Sequence, residues 1–110
     1  MMGFNPNNMQ KMMKQVQKMQ ADMARVQEEL QTETVEVEIG GVIKAVFNGH
    51  GEIQSITISP EAVDPNDVEM LQDMILAAVR QGHAKSQELA STRLNDVTKG
   101  MNIPNIPGLM

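Results

Sequence analysis

Residues 9–30 read MQKMMKQVQKMQADMARVQEEL, and the spacing of their apolar positions decides how this chain is built. Met9, Met12, Val16, Met19, Met23, Val26 and Leu30 alternate at spacings of three and four, an unbroken a/d heptad register. Such a seam predicts a helix packed lengthwise along another helix. On the same register Lys11, Lys18 and Arg25 take position c and Lys14 takes position f. At 100° per residue these positions lie roughly 160° from the middle of the seam. The helix, read from residue 8 to residue 31, thus carries a methionine-rich side and a basic stripe. Asn5-Pro6-Asn7-Asn8 supplies capping groups and a proline at its start. The seam reads as core or coiled-coil packing, with an adaptable Met-lined partner groove as the alternative. The stripe reads either as a solvated coiled-coil face or as a surface for an anion.

From Thr32 the apolar period changes to two. Val35, Val37 and Ile39 alternate with Thr34, Glu36 and Glu38, as a half-buried strand requires. A three-residue loop at Gly40-Gly41-Val42 pairs Ile39 with Ile43, Val37 with Ala45 and Val35 with Phe47, so all six share one face. It also sets Glu38 opposite Lys44. Asn48-Gly49-His50-Gly51 forms the next turn. In the third strand, Glu52 to Ser59, Ile53 breaks parity with Ile56 and Ile58, which predicts a bulge. Val46 and Ile53 fall on the face away from the main core. With apolar residues on both faces the meander needs cover on both, and a second copy of the chain can supply it. Val42, Val46 and Ile53 are the candidate dimer contacts.

Asp64-Pro65-Asn66-Asp67 reads as an N-cap with proline at the first helical position and an acid in the first turn. It lacks the residue order of a calcium loop. The helix that follows, read over 64–99, is apolar around much of its circumference from Val68 to Val79 and turns polar beyond Gly82. Lys85 and Arg93 lie on that polar part. Residues 100–110 contain two Ile-Pro steps and read as an extended, loosely held tail, as residues 1–7 read as a flexible N-terminus. The chain is one α+β domain, 1–110: a long helix, a three-stranded antiparallel meander at 32–59, and a second long helix.

Size and composition narrow the function. The chain has 110 residues, no cysteine, and only Phe4 and Phe47 as aromatics, so the core rests on Val, Ile, Leu and Met. No disulfide framework or thiolate chemistry is available. Neither a secretory signal nor a run of membrane-spanning length is present, so the expectation is a soluble, cytoplasmic protein. The net charge is −5, yet residues 1–25 carry +3 and residues 26–64 carry −7. Residues 80–110 carry +2, so both helical ends are basic and a local field can favour an anion there. No phosphate loop, nucleophile elbow or metal-ligand spacing is found, and His50 and His83 have no patterned partner. A non-enzymatic protein without cofactor, metal or small-molecule substrate is the expectation.

Three stretches carry a resemblance to the YbaB/EbfC family of bacterial nucleoid-associated proteins. They are NMQKMMKQVQKMQADM, NGHGEIQSITISPEAVDPNDVEMLQDMILAAV and the Ile-Pro-Asn-Ile-Pro-Gly tail. The resemblance implies a homodimer whose helices project from a central sheet region as paired arms, like tweezers. It also implies binding of double-stranded DNA in the nucleoid with little sequence preference, with the arms making the contacts. The stripe argument then assigns the phosphate contacts to Lys11, Lys14, Lys18 and Arg25, with Lys85 and Arg93 from the second arm. The competing expectation is a protein-interaction module that uses the Met seam or the Ile-Pro tail.

Overall fold

The computed structural model describes residues 6–100; the N-terminal residues 1–5 and the Ile-Pro tail, 101–110, lie outside the described residues. The element order is α1 (Pro6–Leu30), β1 (Thr34–Ile39), β2 (Ile43–Asn48), β3 (Ile53–Ile58) and α2 (Val68–Gly100). The fold is α+β, and the three strands form one antiparallel sheet in sequence order.

The sheet register follows the alternation of its side chains. Val35 pairs with Phe47, Val37 with Ala45 and Ile39 with Ile43, and Glu38 stands opposite Lys44. The Lys44 ammonium itself reaches diagonally to Glu36, at 2.6 Å. Gly40 and Gly41 both hold positive φ, 58° and 72°, a backbone that a side chain would strain, so the hairpin turns at these two residues. The parity break in β3 is a bulge: Ala45 pairs with Ile56 and Phe47 with Ile53, with a register shift between Val46 and Phe47.

Val37, Ile43, Ala45 and Phe47 close a core with Ala78 of α2, and Leu71, Met74 and Ile75 pack around it. The helix comes so near the sheet that a Cβ on the buried Gly82 would overlap the Phe47 ring. α2 crosses β1 and β2, while β3 keeps an open flank. The helix starts at Val68, later than an N-cap at Asp64 would set it. Asp64 and Asp67 each serve the backbone locally: Asp64 accepts from the Asn66 amide and Asp67 caps the Met70 amide. Proline at 65 therefore sits in the turn before the helix.

A second core lies away from the sheet. Val26 and Leu30 of α1 pack with Val97 of α2, flanked by Met19, Met23, Leu89, Ala90 and Leu94. The lower half of the heptad seam is thus buried against α2 within the same chain. The two helices form an arm, and the radius of gyration is 21.4 Å. A compact domain of this length has about 13 Å.

The arm is tied to the sheet by Asn48, which is fully buried. Its Nδ2 donates to the Gln31 carbonyl at 3.2 Å and to the Glu52 carboxylate at 2.8 Å. Its Oδ1 accepts from the His50 and Glu52 amides, and its own carbonyl accepts from the buried Ser86 hydroxyl of α2 at 2.7 Å. The Gly49 amide donates to the Leu30 carbonyl at 2.8 Å, closing the end of α1 onto the same turn. The hydrogen bonds from Asn48 and then Gln31 hold the Glu52 carboxyl below its usual pKa. Asn48→Ala removes the buried side chain on which these bonds converge, so unfolding in urea is expected to show a loss of about 2–3 kcal/mol. A loss under about 0.5 kcal/mol would show that water replaces the side chain there.

Candidate nucleic-acid interface

The basic residues of the arm differ sharply in what they touch. Lys11, Lys14 and Lys18 are exposed on α1 and make no ion pair among the described residues. They stand at spacings of three and four, so the helix turns them to one side, away from the packed seam. From Lys11 to Lys18 the helix rises about 10 Å.

Arg25 continues the stripe but has acidic neighbours, with Asp22 at 3.7 Å and Glu29 at 3.9 Å. Its side chain is well exposed, so these pairs hold it loosely. Arg93 is held much more firmly. Its guanidinium forks onto the carboxylates of Glu29 and Glu33, bridging α2 to the end of α1 and the linker before β1. The hydrogen bond it donates to Glu29 leads in pushing its pKa up. Lys85 lies at the other flank, where its Nζ donates to the Glu36 carbonyl at 3.0 Å, on the outer edge of β1. Glu36, Glu38 and Glu88 line the same groove.

The six basic residues read from sequence therefore do not gather into one surface. Four lie along α1, one clamps the two helices, and one covers a strand edge in an acidic setting. The clamp joins residues about sixty positions apart in the chain, and a heptad pattern carries no information about such a pair. A hint was present in the cluster Glu28, Glu29, Glu33, which needs a cation to offset it.

The candidate dimer residues also separate. Val42 packs against the sheet core and Val46 is half-buried on the outer face, where it pairs with Glu36 and Ser55. Ile53 is exposed. No group of three His, Cys, Asp or Glu side chains among the described residues can hold a metal ion. No described helix is long and apolar enough to cross a membrane.

A three-stranded platform carrying a two-helix arm, with lysines along the outer helix that make no ion pair among the described residues, defines a small α+β protein with a cationic helical surface. The YbaB/EbfC DNA-binding family model matches residues 4–101, and the chain belongs to this family. A nucleoid-associated protein of Pelotomaculum thermopropionicum is 57% identical over 100 residues, covering 90% of this chain and 95% of the relative. One from Ruminiclostridium cellulolyticum is 48% identical over 108 residues, covering 97% and 91%. The fold is also similar to the crystal structure of an uncharacterised Helicobacter pylori protein, with a TM-score of 0.58 at 20% identity over 70% of this chain and 90% of that one.

The engagement of Arg93 by two carboxylates has a direct consequence. Arg93→Gln is expected to lower the midpoint of urea unfolding, since it frees two like charges beside the helix pair. DNA affinity is expected to stay within about twofold of native. A loss of affinity without a loss of stability would place Arg93 on the DNA instead.

Proposed function

We propose that the chain acts as a non-enzymatic, homodimeric nucleoid-associated protein that binds double-stranded DNA mainly through phosphates, with little sequence preference, and so shapes the chromosome and its expression in the cytoplasm. The observation that carries this reading is the run of Lys11, Lys14 and Lys18, exposed on one side of α1 without an ion pair among the described residues. Membership of a DNA-binding family supports DNA as the anion. Lysine is a point charge on a flexible stem; it meets phosphate well and lacks the rigid planar fork by which arginine reads base edges. Contacts of this kind position a protein without reading sequence.

Arg25 stands at the inner end of the stripe and supplements it. The partners of Lys85 and Arg93 support leaving these two out of the phosphate-contacting set. A dimer would present two arms, and with them six lysines.

An uncovered apolar flank supports the dimer. Ile56 of β3 lies on the core face yet is 41% exposed, because α2 does not reach it. Leu76 and Val79 of α2 are 48% and 40% exposed, and they share a helix side with His83, which sits beside Gly51 ahead of β3. Ile53 adjoins this strip. A second copy laid over β3 would cover it and its open strand edge. Val42 would flank that contact, while Val46 lies on the opposite face of the sheet.

Two measurements test the proposal. Fluorescence anisotropy on a short duplex across a salt series should give log K against log salt with a slope of about −5, for six phosphates neutralised per dimer. Changing Lys11, Lys14 and Lys18 to Gln should remove most of the affinity and flatten the slope; a native slope near zero would defeat phosphate binding. Light scattering at low micromolar concentration should give twice the 12.1 kDa chain mass. Ile56→Asp with Leu76→Asp should return it to one chain mass with the fold retained by circular dichroism. A folded native chain at 12.1 kDa would defeat the dimer.

A further inference from the structure

The outer half of the heptad seam has no partner among the described residues. Met9, Met12, Met13 and Val16 line, with Gln17, an almost wholly apolar groove of about 540 Å³ at the tip of α1. Met12 and Met13 are 64% and 58% exposed. Arg93 bonds Glu29 and Glu33 while Val97 shares a groove with Lys18 and Asp22, so the two helices run antiparallel. α2 therefore delivers the chain at Gly100 to the foot of this groove, heading toward the N-terminus of α1.

We infer that residues 101–110 of the same chain dock in the groove. Their sequence is MNIPNIPGLM, with no charged side chain, so it suits the methionine side of α1 rather than the lysine side. Pro104 and Pro107 fix their own φ and drive Ile103 and Ile106 to extended backbone. A polyproline II segment has three residues per turn, which places Ile103, Ile106 and Leu109 along one side. From Ile103 to Leu109 such a segment spans about 19 Å. The uncovered seam from Val16 to Met9 spans about 10 Å, within the reach of such a segment. Length, direction and chemistry thus agree, and flexible methionines can seat a ridge of Ile and Leu. The docked tail completes the seam and leaves the lysine stripe open.

The chain has no cysteine, so introduced pairs report directly on this contact. Full-length Met12→Cys/Ile106→Cys is expected to form an intrachain disulfide under mild oxidation about tenfold faster than Lys14→Cys/Ile106→Cys, read on non-reducing gels. Equal rates would overturn the proposal. So would a disulfide that joins two chains, which would assign the groove to a neighbouring copy's tail. In a second variant free of cysteine, Ile103→Asp/Ile106→Asp, hydrogen exchange of amides 9–16 should rise about fivefold while β1 and β2 keep native protection. Unchanged exchange at 9–16 would also overturn it. Neither readout involves DNA.

Discussion

The polar contacts that join the end of α1 to the sheet and to α2 converge on one buried side chain. Asn48 lies at the end of β2 and bonds the exit of α1, the turn into β3 and, through its carbonyl, the middle of α2. No other amino acid of this size offers two donors and an acceptor with two lone pairs in so short a reach. With the Asn48 amide itself buried, its bonds would be costly to leave unmade. The position of every lysine on α1 relative to the sheet therefore depends on this elbow. Arg93 adds a second tie further along, so the arm is fixed by polar contacts at its base and by apolar contacts along its length.

Charge placement, more than net charge, explains how an acidic chain can present a cationic surface. The acids concentrate in the last turn of α1, the linker and the sheet, where Glu29, Glu33 and Glu36 are met by Arg93 and Lys44. The lysines concentrate at the far end of an elongated molecule. At physiological salt, charges act over about 8 Å, so a phosphate beside Lys11 or Lys14 is largely screened from the acids of the sheet. The basic residues nearest those acids are the ones held in pairs. Distance from the sheet thus separates the structural cations from those available to a ligand.

Local pattern carried most of the fold. The alternation of Val35, Val37 and Ile39 against Ile43, Ala45 and Phe47 allowed one register, and a shift by one would have turned every apolar side chain to water. The bulge was legible because Ile53 and Ile56 cannot share a face without one. The start of α2 was less so, since Asp64-Pro65 and Asp67 both look like helix starts and only the chain's path from the 3-10 turn at Pro60–Ala62 distinguishes them. The apolar girth of Val68–Val79 was visible. A single sheet face covers only one side of a helix, so Leu76 and Val79 stay exposed.

The sequence by itself determined the elements, the strand register, the packing seam of α1 and the existence of a basic stripe. Each of these is a periodicity, and a periodicity is a local property that a helix or strand converts directly into a face. Only the tertiary structure decided which basic residues are engaged and which stand open. Arg93 meets Glu29 and Glu33, and Lys85 meets the Glu36 carbonyl, across spans of chain that no repeat encodes. It also decided that the inner half of the methionine seam is filled by α2 while the outer half extends past it. The relative length and antiparallel offset of two helices set that boundary, and their offset is fixed at the Asn48 elbow.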